Sequence, residues 1–319
     1  MERTVKGAVR ITEEHGFWCF HRYSKSQEKY YEFSNWDFYR KCYATAGVRF
    51  DFYTDSRVFG FDYELHAASS RHFCYFDVFV DGVLFDHIGI DKVADTEASL
   101  DLILPAGKKR VTVWFPCLFG AMVKNVAVDD GSLVEEVRLN GKILMIGDSI
   151  THGYDAVYPS KAYPAIVARE MEADVLNQGI GGDVYHVGNL GDGVGFTPDL
   201  ITVLLGTNDW SGRKKDHFLT SLEEFYEKLD SLYPGVQKAV ITPLWRGDNR
   251  RITSVGLFKD AVNAITKEAL RYTDVRIING EKLIDHNENL FSPDILHPND
   301  AGFENLAPRL ISELKKIMK

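Results

Sequence analysis

Four polar clusters in this 319-residue chain could do chemistry: Gly147-Asp148-Ser149, NQGIGGD (177–183), Gly206-Thr207-Asn208-Asp209, and Asp294-Ile295-Leu296-His297. A serine hydroxyl is a weak nucleophile until a base takes its proton, and a histidine does that at neutral pH. The histidine needs one ring nitrogen tied to an acceptor, so that the other faces the serine. Asp294 and His297, three residues apart, can form such a pair across a single turn. The tetrahedral intermediate of acyl transfer then needs donors aimed at its oxyanion. The candidates are the backbone N–H of Ser149, the backbone N–H of Gly182 and the Asn208 amide. Gly179 and Gly181 are open alternatives to Gly182. A Gly-Asp-Ser turn on its own is ordinary turn chemistry; its meaning depends on whether the other clusters reach it.

The elements around the clusters bring them together. Ile143–Ile146, Val175-Leu176, Leu200–Leu205, Val240-Ile241 and Val275–Ile278 are short apolar runs suited to strands buried on both faces. Between them lie segments of helical period: Phe218, Leu222, Phe225, Tyr226 and Leu229, then Phe258, Ala261, Val262, Ile265 and Ala269. Alternating strands and helices predict a parallel α/β sheet of about five strands covered on both faces. Ligands bind such sheets beyond the C-terminal strand ends. Three of the clusters follow predicted strands directly, and the fourth lies beyond the last strand, before a final helix over about 300–317. Pro308 should kink or split that helix.

Residues 1 to about 138 have a period of two. Phe59, Phe61, Tyr63 and Leu65 alternate with smaller or polar residues, and Asp81-Gly82 joins two apolar runs as a tight hairpin. Val111, Val113 and Phe115 form a further strand, as do Val123, Val126 and Val128. No helix is predicted here, so an all-β sandwich or jelly roll over 1–138 should precede an α/β domain over 139–319.

GDSIT, NQGIGGD, GTND and DILH resemble, in order, the four conserved blocks of the SGNH (GDSL) hydrolase family, over residues of about 140–319. The resemblance implies a flavodoxin-like three-layer α/β/α catalytic domain. It implies Ser149 as nucleophile, His297 as base, Asp294 as its partner, and Ser149, Gly182 and Asn208 as the oxyanion hole. It requires no cofactor or metal. Isoleucine replaces the leucine of GDSL. A sandwich ahead of such a domain is similar to the arrangement in bacterial carbohydrate esterases and some acyltransferases, which implies a small, acetyl-type ester on a sugar or related molecule.

Other classes fit worse. The net charge of −9 and pI near 5.6 argue against nucleic-acid or anionic-membrane partners. GIGGDV lacks the third glycine of G-x-G-x-x-G, and neither GK[ST] nor HExxH occurs. G-D-S-I-T is not the G-x-S-x-G of an α/β-hydrolase elbow. With no apolar leader at the start and no apolar run long enough to span a bilayer, a cytoplasmic location is expected. Cys19, Cys42, Cys74 and Cys117 lack metal-ligand spacing and are expected as free thiols. His152, Trp210, Trp245 and Arg246 fall close to the clusters and are candidates for lining the substrate pocket. Homo-oligomerisation is open. Acyl transfer from the same acyl-enzyme is the alternative reaction, and a carbohydrate-binding protein with an inactive hydrolase domain is the alternative class.

Overall fold

The computed structural model describes residues 2–191 and 195–318. In the first half, eleven strands form two antiparallel sheets. They are β1 (Val5–Lys6), β2 (Arg10–Glu14), β3 (Phe17–His21), β4 (Arg49–Thr54), β5 (Val58–Ala67), β6 (Cys74–Val80), β7 (Val83–Ile90), β8 (Glu97–Ile103), β9 (Lys109–Trp114), β10 (Phe119–Val128) and β11 (Val134–Glu136). One sheet runs β1-β4-β9-β6-β7, with β11 on β4, and the other β2-β3-β10-β5-β8. Alternate residues of each turn inward, so Phe50, Phe52, Val111 and Val113 meet Phe59, Phe61, Leu100 and Val123 in a shared core. The predicted hairpin forms between β6 and β7. Asp81 and Gly82 adopt φ of 49° and 79°, as the turn requires.

The first half is not strands alone. Between β3 and β4 the chain makes two helices, α1 (Lys25–Ser34) and α2 (Trp36–Cys42), where no helix is predicted from the sequence. Local caps start both. Ser24 and Gln27 form a reciprocal capping box, and the Asn35 side chain accepts from the backbone N–H of Asp37 and Phe38. The face these helices bury, Tyr31 and Cys42, packs on Ile180 of the second half. Its apolar pattern therefore answers to a distant partner rather than to a local period.

The second half alternates strand and helix: β12 (Gly141–Gly147), α3 (Ser149–His152), α4 (Tyr163–Glu170), β13 (Ala173–Gly179), β14 (Leu200–Leu204), α5 (Thr207–Gly212), α6 (Lys215–Leu232), β15 (Gln237–Ile241), α7 (Phe258–Ala269), β16 (Val275–Ile278) and α8 (Asp300–Ile317). All five strands are parallel, in the order β13-β12-β14-β15-β16. Ile143 and Met145 pack toward α4 and α8, whereas Leu144 and Ile146 pack toward α6 and α7, giving three layers. Pro308 does not split α8, which runs unbroken. Pro308 and Glu304, one turn apart, both lie on the exposed face of α8. The four cysteines are free and buried. Among the described residues no helix is long and apolar enough to cross a membrane.

The halves are joined through backbone carbonyls. Arg22, fully buried after β3, donates to Asn177 O at 2.5 Å and Gly179 O at 3.3 Å, and within its own half to Ala44 O and Lys41 O. A buried guanidinium satisfied by carbonyls fixes where those carbonyls lie. Arg22→Met should cost roughly 3 kcal/mol from lost charged hydrogen bonds, lowering Tm by about 6–12 °C; calorimetry that finds Tm unchanged would contradict this account of the junction.

Candidate active site

The tight exit from β12 depends on Gly147, where a Cβ would sit 1.9 Å from Thr151 Oγ1. Asp148 then caps α3, its carboxylate accepting from Ile150 N–H at 3.0 Å. That places Ser149 at the first helical position, where a backbone N–H has no acceptor within the helix. From the loop before α8, His297 Nε2 lies 2.8 Å from Ser149 Oγ, and His297 Nδ1 lies 2.6 Å from Asp294 Oδ2. The short chain between them is itself braced. Asp294 Oδ1 accepts from the N–H of Leu296 and of His297, and Ile295 takes a φ of 49° to allow it. Partial burial works against the charge on Asp294, but these bonds and the His297 ring outweigh it and hold the carboxyl below its ordinary range. An ionised Asp294 favours the His297 tautomer that presents a bare Nε2 to the serine.

The loop after β13 supplies the next element. Of its glycine amides, Gly179 N–H is bound to Asn177 Oδ1 at 2.9 Å and Gly181 N–H to His152 Nδ1 at 3.2 Å. Among the described residues Gly182 N–H has no protein acceptor. Residues 180–183 form a β-turn closed by Asp183 N–H to Ile180 O, and Gly182 occupies its third position with φ of 92°. The Asn208 amide donates to Asp183 O at 2.9 Å and keeps a second N–H for another acceptor. A chain of hydrogen bonds thus links Asn208, the 181–183 turn, His152 and α3. Asn208→Ala should lower kcat about 100- to 1000-fold with a smaller change in KM, as steady-state ester hydrolysis would show; a loss confined to KM would place the amide in ground-state binding instead.

Other candidates from the sequence lie elsewhere. His152 is fully buried, against the oxyanion-side turn rather than at the surface. Its Nδ1 accepts from Gly181, and burial, with Arg22 and Lys41 nearby, pushes its pKa well below the ordinary imidazole value. A neutral ring is what that acceptor role needs. Trp210 is also fully buried, donating to Gly256 O and packing on Phe258. Arg246 is buried over the Trp210 ring, where it holds Thr207 O and Oγ1 at the start of α5. Trp245 is half-buried, stacked on His286 and edge-on to Phe291. Spacing alone could not tell the front of the loops from the back.

The structure adds residues the sequence reading passed over. Asp155 Oδ2 is 3.8 Å from His297 Nδ1, and Arg71 of the first half grips Asp155 with two donors. Arg71 lies over Tyr154, whose ring stacks on His297. Among the described residues, Asp155, Asp294 and His297 are the group whose ligand atoms lie close enough to surround a cation, within 4.8 Å of one another. Each is engaged already: Asp155 by Arg71, Asp294 by His297, and His297 by Asp294 and Ser149. From α1 and α2, Tyr31 donates to Asp183 Oδ2, Gln27 to Gln178 Oε1, and Lys41 to Gly181 O. The Ser24-x-x-Gln27 capping pattern was the available signal for that helical excursion.

Burial raises the Asp148 carboxyl to about 7, aided by Asp183 and Asp209, against the Ile150 N–H bond and Arg246. The unfolded value is about 3.9, so the folded state binds the proton more tightly. This contribution to stability is full below about pH 4 and is lost as pH rises to about 7. Asp148→Asn keeps the cap and removes the charge, so its Tm relative to the native protein should rise between pH 5 and pH 8. A pH-independent difference would refute this.

A serine paired to a histidine and an aspartate, at the C-terminal edge of a parallel sheet ordered 2-1-3-4-5, defines a serine hydrolase of flavodoxin-like architecture. Residues 145–304 match the GDSL-like lipase/acylhydrolase family, and the chain belongs to that family of SGNH esterases. No curated protein matches it. Among solved structures it is similar to the salicylyl-acyltransferase SsfX3 from a tetracycline biosynthetic pathway, at 23% identity and TM-score 0.82, over 98% of this chain and 94% of that one. It is also similar to a family two carbohydrate esterase from Clostridium thermocellum in complex with cellohexaose, at 19% identity and TM-score 0.67, over 86% and 93%. An acetyl xylan esterase from Butyrivibrio proteoclasticus matches at 18% identity and TM-score 0.60, over 85% and 90%. These likenesses show the fold.

Proposed function

We propose that the chain is a serine esterase that removes a small acyl group, acetyl in the first instance, from a carbohydrate or related alcohol. The observation that carries this is the Ser149–His297–Asp294 chain, at 2.8 and 2.6 Å. Ser149 Oγ attacks the acyl carbonyl as His297 Nε2 takes its proton. Ser149 N–H, Gly182 N–H and Asn208 receive the oxyanion. Collapse breaks the bond to the alcohol, which leaves with the proton from His297. Water then attacks the acyl-serine, again through His297, and releases the acid and Ser149. Asp294 orients the ring and stabilises the imidazolium throughout.

The substrate class is supported by the neighbours named for carbohydrate and xylan esters. Exposed rings on the α1–α2 segment, Trp36 at 67% and Phe33 at 79% exposed, offer faces for stacking on a sugar, and Phe38 of the same segment packs beside Gly182. Phe50, Phe52, Phe59, Phe61, Phe76 and Phe115 belong instead to the sandwich core, whose strand order we read as a jelly roll. Trp245 is the remaining pocket candidate from the second half. Acyl transfer to an alcohol is the second reading, supported by the likeness to an acyltransferase over nearly the whole chain.

A panel of acetyl to octanoyl p-nitrophenyl esters and acetylated sugars, run beside Ser149→Ala, tests both. Ser149→Ala should lower kcat/KM by about 10⁴-fold or more, and acetyl should be preferred. Retention of more than a tenth of the activity would sink the acyl-enzyme. An ester of an added alcohol among the products would favour transfer over hydrolysis.

A further inference from the structure

Lys41 sits near the end of α2 with most of its side chain buried, in the half of the molecule that carries no part of the Ser149–His297–Asp294 set. Its ammonium donates to Gly181 O at 2.8 Å. The carbonyl of Gly181 and the N–H of Gly182 belong to one peptide group. That group is conjugated, so a cation hydrogen-bonded to its oxygen draws electron density from nitrogen and makes the N–H a stronger donor. We infer that Lys41 is a positioning residue for the oxyanion hole: from the first half, it both fixes and polarises the peptide whose N–H receives the oxyanion. The inference rests on the esterase reading of Ser149.

Three observations support this over a plain structural tie. Lys41 reaches the Gly181–Gly182 peptide rather than a neighbouring one; Arg22 holds the carbonyls of Asn177 and Gly179. The Gly182 N–H is the amide in this turn left without a protein acceptor, so polarisation there can act on a bound oxyanion. The Lys41 ammonium also lies 5.3 Å from the centroid of the Phe38 ring, and that ring packs beside Gly182, tying the ammonium to the same turn. Asp37, half-exposed, shares the ammonium at 2.5 Å and moderates its field.

Cooperative strengthening of roughly 10–30% per bond, applied to a donor whose removal costs about 100- to 1000-fold, predicts a change of about two- to eightfold. The test compares Lys41→Met and Lys41→Arg with the native protein on p-nitrophenyl acetate. Ethylboronic acid, which forms a tetrahedral adduct on a serine, serves as the oxyanion probe. Lys41→Met should lower kcat about two- to eightfold with KM within about twofold, and weaken ethylboronic acid by the same factor. The Gly182 amide proton should move upfield in NMR while that of Gly179 stays, and Lys41→Arg should recover kcat. Unchanged kcat, unchanged boronate affinity, or equal movement of both glycine amides would overturn the inference. If Lys41→Met does not fold, Asp37→Asn carries the test. Freeing the ammonium from its carboxylate should raise boronate affinity, and any other result overturns the inference. Activity retained in Ser149→Ala is a different failure: it removes the esterase reading itself, whatever Lys41 does.

Discussion

An oxyanion hole asks a folded chain to hold backbone N–H donors in place while leaving them without a protein acceptor. In the mechanism we propose, that requirement falls on the Gly181–Gly182 peptide. Its N–H stays open because the turn around it is held by other groups: Ile180 O and the Asp183 N–H close it, and Tyr31 and Asn189 grip the Asp183 carboxylate. Lys41 holds its carbonyl and His152 accepts from the preceding amide. Asn208 and Tyr31 bear on the same turn from other elements, and Asp148 sets the neighbouring serine at a helix start.

The first half of the chain is therefore part of the active-site scaffold. Its sandwich has its own aromatic core, but the helical excursion of α1 and α2 spends its buried face on the second half. Arg22, Gln27, Tyr31 and Lys41 together contact the segment 177–183 from one side. Arg71 reaches the opposite flank, where it pairs with Asp155 beside His297. These contacts go largely to backbone carbonyls and loop carboxylates, so they position the loops without adding reactive groups.

Burial sorts the ionisable groups around the serine by role. Asp294 is held in its charged form by donors from its own loop. His152 is held neutral by burial and two nearby cations, which lets it accept a backbone bond. Asp148, buried with two other carboxylates close by, is raised to about 7 and ties the cap of α3 to pH. Ordinary side chains thus take different charge states because their surroundings differ.

Much of the second half was legible in the chain itself. Apolar runs such as Ile143–Ile146 bury both faces of a strand, and four polar clusters at strand ends must converge when a parallel sheet forms. Ser149, Asn208, Asp294 and His297 were therefore readable as a set. The helices α1 and α2 were not, because their buried side chains answer to Ile180 across the junction and not to a local period. His152 and Trp210 lie near the clusters in sequence, but only the fold shows that they stand behind the loops. Sequence alone settled which groups could meet, since strand-end placement follows from local pattern and topology. Which amide stays free, and which residues of the other half hold it, was decided by tertiary packing, because a hydrogen bond left unmade is a property of everything around it.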